Sequence, residues 1–597
     1  MVQFDFAFWY TAVLIAGMTI ALVRELYEPD IIIFSVLILL VAGGVIDVKE
    51  SFAGFSNTGM LTVGFLFIVA GALQKTGVLN QLGVLLLGGI GRLESKFIRL
   101  LLPVSVFSAF FNNTPIVAMF IPVIRFWARK YDYPVSKFMI PLSYAAILGG
   151  TCTLIGTSTT LVVHGLMLQN GLRGMDFFEI TPVGLPVALI GILTLSLAGH
   201  RLLPRRGEPM RELGEQTREF VIEMKVEPEY RHIGRTIEEA GLRHLKGLYL
   251  FQIERGGDVL ATVGPREKIL KGDRLFFTGL PETIVDLQRT PGLSLIKDHT
   301  FDLKNYDSDE LGTYEVVISA NSPLIGKNVR ESHFRSRYNA VILAIHRSGE
   351  RIEKKIGDIV LHAGDTLLIL AQGDFIKKWY HSRDFYLVSK SSSPPSKPQW
   401  YSVFSISVLA AMIIAMATGV VPILIAVCAA ALILILAKCI SPEDARDSVD
   451  WSVLVVIASA LGISKAVDQS GVAHFIASTL ISAVGSLGVI GLLTAVYFTT
   501  SLYTEIITNN AAAALVFPIA LALTQQTGLD PRPFLIAVAI AASASFATPI
   551  GYQTNLMVYG PGGYRFRDYL RIGIPMNLFI GFLAISIIYL IYFTPVG

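Results

Sequence analysis

Two apolar stretches of this chain each carry a pair of adjacent asparagines. The first reads Ser105-Val106-Phe107-Ser108-Ala109-Phe110-Phe111-Asn112-Asn113-Thr114-Pro115, and the second Thr504-Glu505-Ile506-Ile507-Thr508-Asn509-Asn510-Ala511. Carboxamides among Phe and Ile are costly in hydrocarbon unless hydrogen-bonded, so the pairs point to a built polar site at the turn of a re-entrant hairpin. A helix starting after such a turn aims free N–H groups at an anion. Side-chain amides and exposed carbonyls suit a small cation. One asparagine pair alone would be compatible with helix–helix glue. Two pairs at matching positions weigh against it.

A second pair of segments is Gly149-Gly150-Thr151-Cys152-Thr153-Leu154-Ile155-Gly156-Thr157-Ser158-Thr159-Thr160 and Ala547-Thr548-Pro549-Ile550-Gly551-Tyr552-Gln553-Thr554-Asn555. Gly, Pro and clustered hydroxyls in mid-span predict unwound backbone whose carbonyls suit Na⁺ and whose hydroxyls donate to an oxyanion. The plainer alternative is a kinked span with hydroxyls bonded back to the preceding turn. Glu505 is the acid within the hairpin cores; it either completes a cation site, couples a proton or sits solvated at the hairpin mouth. His164 reads as a packing residue, and Lys465 and Asp468 as snorkelling span-end residues.

The elements that position these residues must be membrane spans. Hydrophobic residues make up 53% of the 597 positions and charged ones 16%, which argues against a purely soluble protein. Apolar windows recur near 7–23, 30–46, 58–75, 138–167 and 182–199, and again near 403–418, 421–437, 452–468, 533–558 and 573–594. Regions 97–126 and 490–522 are the interrupted hairpins. The two sets align at an offset of about 395: Asn112-Asn113 on Asn509-Asn510, and Gly156 on Gly551. The membrane part is therefore read as two repeats, 1–200 and 399–597. An odd span count in each makes the second inverted, the arrangement of secondary transporters. Basic residues cluster on one side, which places that side and the insert in the cytoplasm of an inner (plasma) membrane protein, with both termini outside. The N-terminus has no basic n-region, and Phe8–Val23 reads as a retained span.

Residues 201–398 hold 31 of the 49 Lys/Arg and 28 of the 46 Asp/Glu, so the polar part is an insert. It is duplicated at an offset of 92: Ile233-Gly234-Arg235 matches Ile325-Gly326-Lys327, Ile253-Glu254-Arg255 matches Ile345-His346-Arg347, and Gly272-Asp273 matches Gly364-Asp365. Two small α/β modules, 215–292 and 310–388, followed by a linker at Ser391–Pro398, are expected. A net charge of +3 gives no sign of a nucleic-acid partner, and Cys152, Cys428 and Cys439 form neither a disulfide framework nor a zinc site.

The hairpin tips and the Gly-Gly-Thr…Leu-Ile-Gly-Thr stretch resemble the divalent anion:sodium symporter family, over roughly 400 residues. The resemblance implies an α-helical inverted-repeat elevator transporter, a homodimer, coupling Na⁺ to uptake of a divalent anion, with no cofactor and no enzymatic activity. It places Na⁺ at Ser108, Asn112, Asn113 and Gly156, and at Glu505, Asn509, Asn510 and Gly551. It places the anion at Asn113, Thr114, Thr157, Asn510, Tyr552, Gln553 and Thr554. The sequence departs from that family's Ser-Asn-Thr tips and Pro-Pro-Asn segments. Its extra hydroxyls and Gln553 suit a compact tetrahedral oxyanion, so sulfate is expected before a di- or tricarboxylate. The insert modules resemble the TrkA-C modules of potassium-channel regulators, which implies regulation by a small ligand or by dimer contacts. Rival readings are weaker. Thr262-Val263-Gly264 is followed by proline inside the insert, so no potassium filter is found. There is no phosphate-binding loop for a pump and no nucleophile–base set for an enzyme. An oxyanion exporter would differ mainly in direction of flow.

Overall fold

A computed structural model describes residues 5–24, 26–76, 93–131, 133–205, 221–242, 248–256, 258–261, 263–264, 266–279, 290–296, 311–389 apart from 320–321, 348–349, 353–355, 373–374, 380–381 and 383, and 399–594. The expected linker at 391–398 and the outer bounds 215 and 310 of the insert modules lie outside the described residues. We number the principal helices of the first part α1 (Phe6–Val23), α2 (Pro29–Ala42), α3 (Thr58–Thr76), α4 (Leu93–Ser108), α5 (Asn113–Lys130), α6 (Met139–Gly150), α7 (Ser158–Gln169) and α8 (Thr181–Thr194). Those after the insert are α9 (Gln399–Ala417), α10 (Ile423–Leu436), α11 (Trp451–Gln469), α12 (Val472–Val484), α13 (Gly488–Thr504), α14 (Asn509–Thr527), α15 (Pro531–Ser543), α16 (Gln553–Tyr559) and α17 (Phe566–Tyr592).

Local signals set many of these ends. Asp5, Asp450 and Asp530 accept N–H bonds as N-caps of α1, α11 and α15, and prolines open α2 and α15. Among the described residues, six helical segments are long and apolar enough to cross a membrane. The windows near 138–167 and 533–558 are each two helices separated by non-helical backbone, at 151–157 and 544–552. The windows gave no sign of α12, whose 13 residues reach only about 20 Å, short of a bilayer core.

Packing crosses between the two parts in matched pairs. Helix α2 packs on α11 and α10 on α3; α5 packs on α16 and α14 on α7; α6 packs on α16 and α15 on α7. One apolar core runs through both parts. Neither part buries its apolar surface without the other, so together they form a single folding unit.

The insert forms two five-stranded antiparallel sheets, β1 (Val221–Val226), β2 (Leu248–Arg255), β3 (Asp258–Ala261), β4 (Arg274–Gly279) and β5 (Leu293–Leu295), then β6 (Leu311–Ile318), β7 (Ala340–Arg347), β8 (Glu350–Arg351), β9 (Thr366–Gln372) and β10 (Phe385–Ser389). Their orders, β3-β2-β4-β1-β5 and β8-β7-β9-β6-β10, are the same. Bulges fall at Leu250/Gln252 and Ile342/Ala344, again 92 apart. The repeated Ile-x-Arg and Gly-Asp residues meet: Arg255 grips Asp273 with two bonds of 2.9 Å, and Arg347 grips Asp365 with two of 2.7 Å. β5 lies beyond the expected bound at 292, and β10 runs one residue past 388, because each closing strand pairs back onto the first strand of its sheet.

Candidate functional site

Each hairpin turns over four residues. Helix α4 ends at Ser108 and α5 begins at Asn113; α13 ends at Thr504 and α14 begins at Asn509. A hydroxyl on the first arm ties each turn. Ser108 donates to Asn113 Oδ1 at 2.5 Å, and Thr504 donates to Asn509 Oδ1 at 2.9 Å, both spanning five residues. The two bonds occupy corresponding places but different asparagines of the pair.

The tips meet the unwound segment of the opposite part. Asn113 Nδ2 donates to the Tyr552 hydroxyl, and Thr114 Oγ1 donates to Gln553 Oε1 at 3.0 Å. From the other side, Ser158 and Thr159 donate to Asn510 Oδ1 at 3.1 and 3.4 Å. Thr157 closes the ring, its Oγ1 3.4 Å from the Tyr552 hydroxyl. Asn113 is fully buried and Asn510 and Tyr552 are 8% exposed, so these neutral groups are shielded from bulk solvent and their hydrogen bonds act in a lowered dielectric. Helices α5 and α14 begin at Asn113 and Asn509, so the N-terminal end of each lies at these residues.

Within each part, the tip also packs on its own unwound segment, and only glycine fits there. A Cβ on Gly156 would lie 2.5 Å from the Gly150 carbonyl oxygen and 2.9 Å from that of Ser108. A Cβ on Gly150 would lie 2.7 Å from Asn113 Oδ1. With the Gly156 carbonyl oxygen, 3.2 Å from the same Cβ, four oxygens gather at this glycine pair. Around Gly551, a Cβ would meet Ser545 Oγ, the Thr504 carbonyl oxygen at 2.8 Å and Thr548 Oγ1 at 2.9 Å. Both clusters are oxygen-rich, the donor set a hard cation prefers. A second glycine backs each segment: a Cβ on Gly184 would strike the Thr151 carbonyl and one on Gly573 the Phe546 carbonyl.

The structure therefore gathers Ser108, Asn113, Thr114, Gly156, Thr157, Asn510, Tyr552 and Gln553 into one connected region, with Asn509 and Gly551 beside it. Three expected residues make other contacts. Thr554 is fully buried and accepts from Ser143 on α6 at 2.8 Å; it follows Gln553 by about 100° of helix turn, which points it away from the tips. Asn112 caps α5 by position only and lines a cavity of about 20 Å³ with Phe110, Phe111, Leu161 and α3 residues, room for about one water. Glu505 directs its carboxylate to the unwound segment, and its carbonyl accepts from Thr548 Oγ1, one of the oxygens around Gly551, at 3.0 Å. The carboxylate accepts the N–H groups of Phe546, Ala547 and Thr548 at 2.8, 3.0 and 2.8 Å, and Asn577 Nδ2 at 2.6 Å. Those bonds hold the unwound backbone by its otherwise orphaned donors.

Sequence reasoning missed Ser158, Ser143, Asn555 and Asn577. Asn555 donates to the Ser545 and Thr548 carbonyls at 3.0 and 3.1 Å and accepts from Ser143 at 2.7 Å. Ser158 lies within the Gly149–Thr160 segment, and its alignment with Gln553 is the available signal. Ser143 and Asn577 lie in apolar windows without a signal. His164 accepts the Met175 N–H at 3.0 Å, a packing contact.

Comparison with known proteins shows the family. The citrate transporter family, CitMHS, matches residues 18–527 and 506–596. The chain is 37% identical to a putative sulfur deprivation response regulator of Chlamydomonas reinhardtii, over 96% of this chain and all of that one. It is 27% identical to sodium/sulfate cotransporter 1 of the same organism, over 93% of this chain and 86% of that one. Among solved structures it is similar to the YdaH transporter of Alcanivorax borkumensis, 12% identical, with a TM-score of 0.43 and coverage of 99% and 98%. The chain belongs to the citrate transporter family of multi-pass membrane transporters.

Proposed function

We propose that this protein is a secondary transporter that couples Na⁺ to movement of a divalent oxyanion, sulfate first, across the plasma membrane. The observation that carries the reading is the crossed contact of the two tips: Asn113 with Tyr552, and Asn510 with Ser158 and Thr159. Amide and hydroxyl donors from both parts line one buried place, and they can bind a compact oxyanion without a change of protonation. The oxygen clusters at Gly150/Gly156 and Gly551 flank it and supply Na⁺ ligands on either side. Charge balance supports coupling to cations. Moving a doubly charged anion against a 100 mV interior-negative potential costs about 4.6 kcal/mol, and two Na⁺ moving with it cancel that cost. The Chlamydomonas relative named as a sodium/sulfate cotransporter favours the same solute. The matched packing of the two parts supports an inverted repeat, with rigid-body movement of one set of elements against the other as the transport step and a homodimer as the assembly. The insert modules are read as its regulatory part.

A tricarboxylate or dicarboxylate is the second reading, favoured by the description of the matching family. Competition separates them. Uptake of labelled sulfate into proteoliposomes holding the purified full chain should be suppressed by excess unlabelled sulfate and little changed by equal succinate or citrate. No uptake of labelled sulfate, with labelled succinate or citrate taken up by the same proteoliposomes, would replace the first reading with the second.

A further inference from the structure

The two insert modules match strand for strand at an offset of 92, so differences between counterparts show what the second does that the first does not. In the first, Glu223 of β1 is 1% exposed and is held by Arg274 of β4 in the same module. The counterpart of Glu223 is Glu315, fully buried in β6. The counterpart of Arg274 is Thr366, which has no charge to offer. Glu315 takes its cation from outside the module: Arg125 of α5, 3% exposed, lies 2.7 Å away.

Neighbouring counterparts change in the same direction. Val317 of β6 packs in the core of the membrane helices, whereas its flanking residues Val316 and Ile318 pack in the module's own core. β10 lies against α5. Gly272 and Gly364 adopt the same left-handed turn, at φ +85° and +82°. A Cβ on Gly272 would meet open space, but one on Gly364 would lie 3.0 Å from Leu556 of α16. A Cβ on Gly560, just after α16, would strike Thr366 Oγ1 and lie 3.0 Å from the Gly364 carbonyl oxygen. The second module therefore touches the two helices that bond each other through Thr114 and Gln553.

We propose that the second module is a clamp on the transport site, with Arg125 and Glu315 as positioning residues that fix the α5 arm and so set Asn113 against Tyr552. From Arg125 to Asn113 the helix is continuous through Pro122, a rod of about 18 Å. A movement inside the module is transmitted along that rod, whereas the first module, its glutamate satisfied internally, does not share the connection.

The inference rests on the transport reading only for its uptake readout; hydrogen exchange reads the connection whatever the solute. In proteoliposomes with equal protein content, Arg125→Met and Glu315→Gln should each lower the maximal rate about tenfold with KM within about twofold. The exchanged pair Arg125→Glu/Glu315→Arg should recover most of the rate, since an orphaned buried charge is the damaging feature. Glu223→Gln, the matched change in the first module, should leave uptake unchanged. In the full chain, Arg125→Met should reduce exchange protection of 121–130 and 311–318 together, and Glu223→Gln should affect neither. Where Arg125→Met fails to accumulate, Arg125→Lys, which keeps the charge but loses the fork, gives the same readouts at smaller size. Normal rates in both single variants, or protection of 121–130 unchanged while 311–318 loosens, would overturn the clamp.

Discussion

On the proposed reading, replacing Asn113 with aspartate should separate anion binding from cation binding at one position. The side chain is fully buried, accepts from Ser108 at 2.5 Å and donates to Tyr552. Aspartate keeps the shape and the Ser108 bond, and the Tyr552 hydroxyl can reverse to donate, so the fold should persist. The charge is the change. At an effective dielectric of about 20, unit charges about 4 Å apart interact by about 4 kcal/mol, so a doubly negative solute is repelled by about 8 kcal/mol. Bound Na⁺ offsets part of this; if half remains, affinity falls about a thousandfold. Na⁺ gains an oxygen ligand of opposite charge and should bind at least as well. Asn113→Ala instead leaves the buried Ser108 hydroxyl without its acceptor, at about 1–3 kcal/mol, and removes one partner of the Tyr552 hydroxyl, so it should lower both stability and uptake. The assay is labelled sulfate uptake beside the rise in melting temperature that Na⁺ produces in detergent. Asn113→Asp should lose uptake and keep or increase the Na⁺-induced rise. Wild-type sulfate KM in that variant would refute the placement of the anion beside Asn113.

Other expectations follow from the same contacts. Gly156→Ala, whose methyl would lie 2.5 Å from the Gly150 oxygen, should abolish Na⁺-dependent uptake, whereas Gly17→Ala, with open space around it, should not; uptake kinetics of the two variants checks this. Glu505→Gln should cost about 1–3 kcal/mol of stability by turning one donor toward backbone N–H groups, with the Na⁺ concentration for half-maximal uptake unchanged; a raised Na⁺ requirement at intact stability would restore Glu505 to the cation site. Burial raises the Glu179 carboxyl pKa, but bonds from Arg532 and the Asp176 N–H outweigh it and leave the value below the ordinary 4.5. A depressed carboxylate stabilises above its unfolded value and loses that contribution as pH falls through the folded one. Melting temperature should therefore drop below about pH 4.5 more steeply in wild type than in Glu179→Gln.

Much of the site was legible because chemistry in the wrong solvent stands out. Asparagine pairs among Phe and Ile, and glycines with hydroxyls in mid-span, mark places where backbone leaves the helix. What the sequence could not show is which groups face each other. The partners of Asn113 and Asn510 lie 439 and 352 residues away, in opposite parts, and only the crossed packing brings them together. Helix phase separates Gln553 from Thr554, a distinction composition does not carry. Glu505 was visible as an intramembrane acid, but its partners are backbone N–H groups, which every residue has. The Arg125–Glu315 pair was hidden for a related reason: its meaning appears only when Glu223 and Arg274 are set beside Glu315 and Thr366.

Sulfate accumulation driven by a Na⁺ gradient tests the central claim most directly. Proteoliposomes of the purified chain, sodium-free inside and given labelled sulfate with external Na⁺, should concentrate sulfate transiently above the outside level, and choline or K⁺ in place of Na⁺ should allow no such overshoot. Equal accumulation with and without Na⁺, or none under any cation with the protein folded and inserted, would contradict the account.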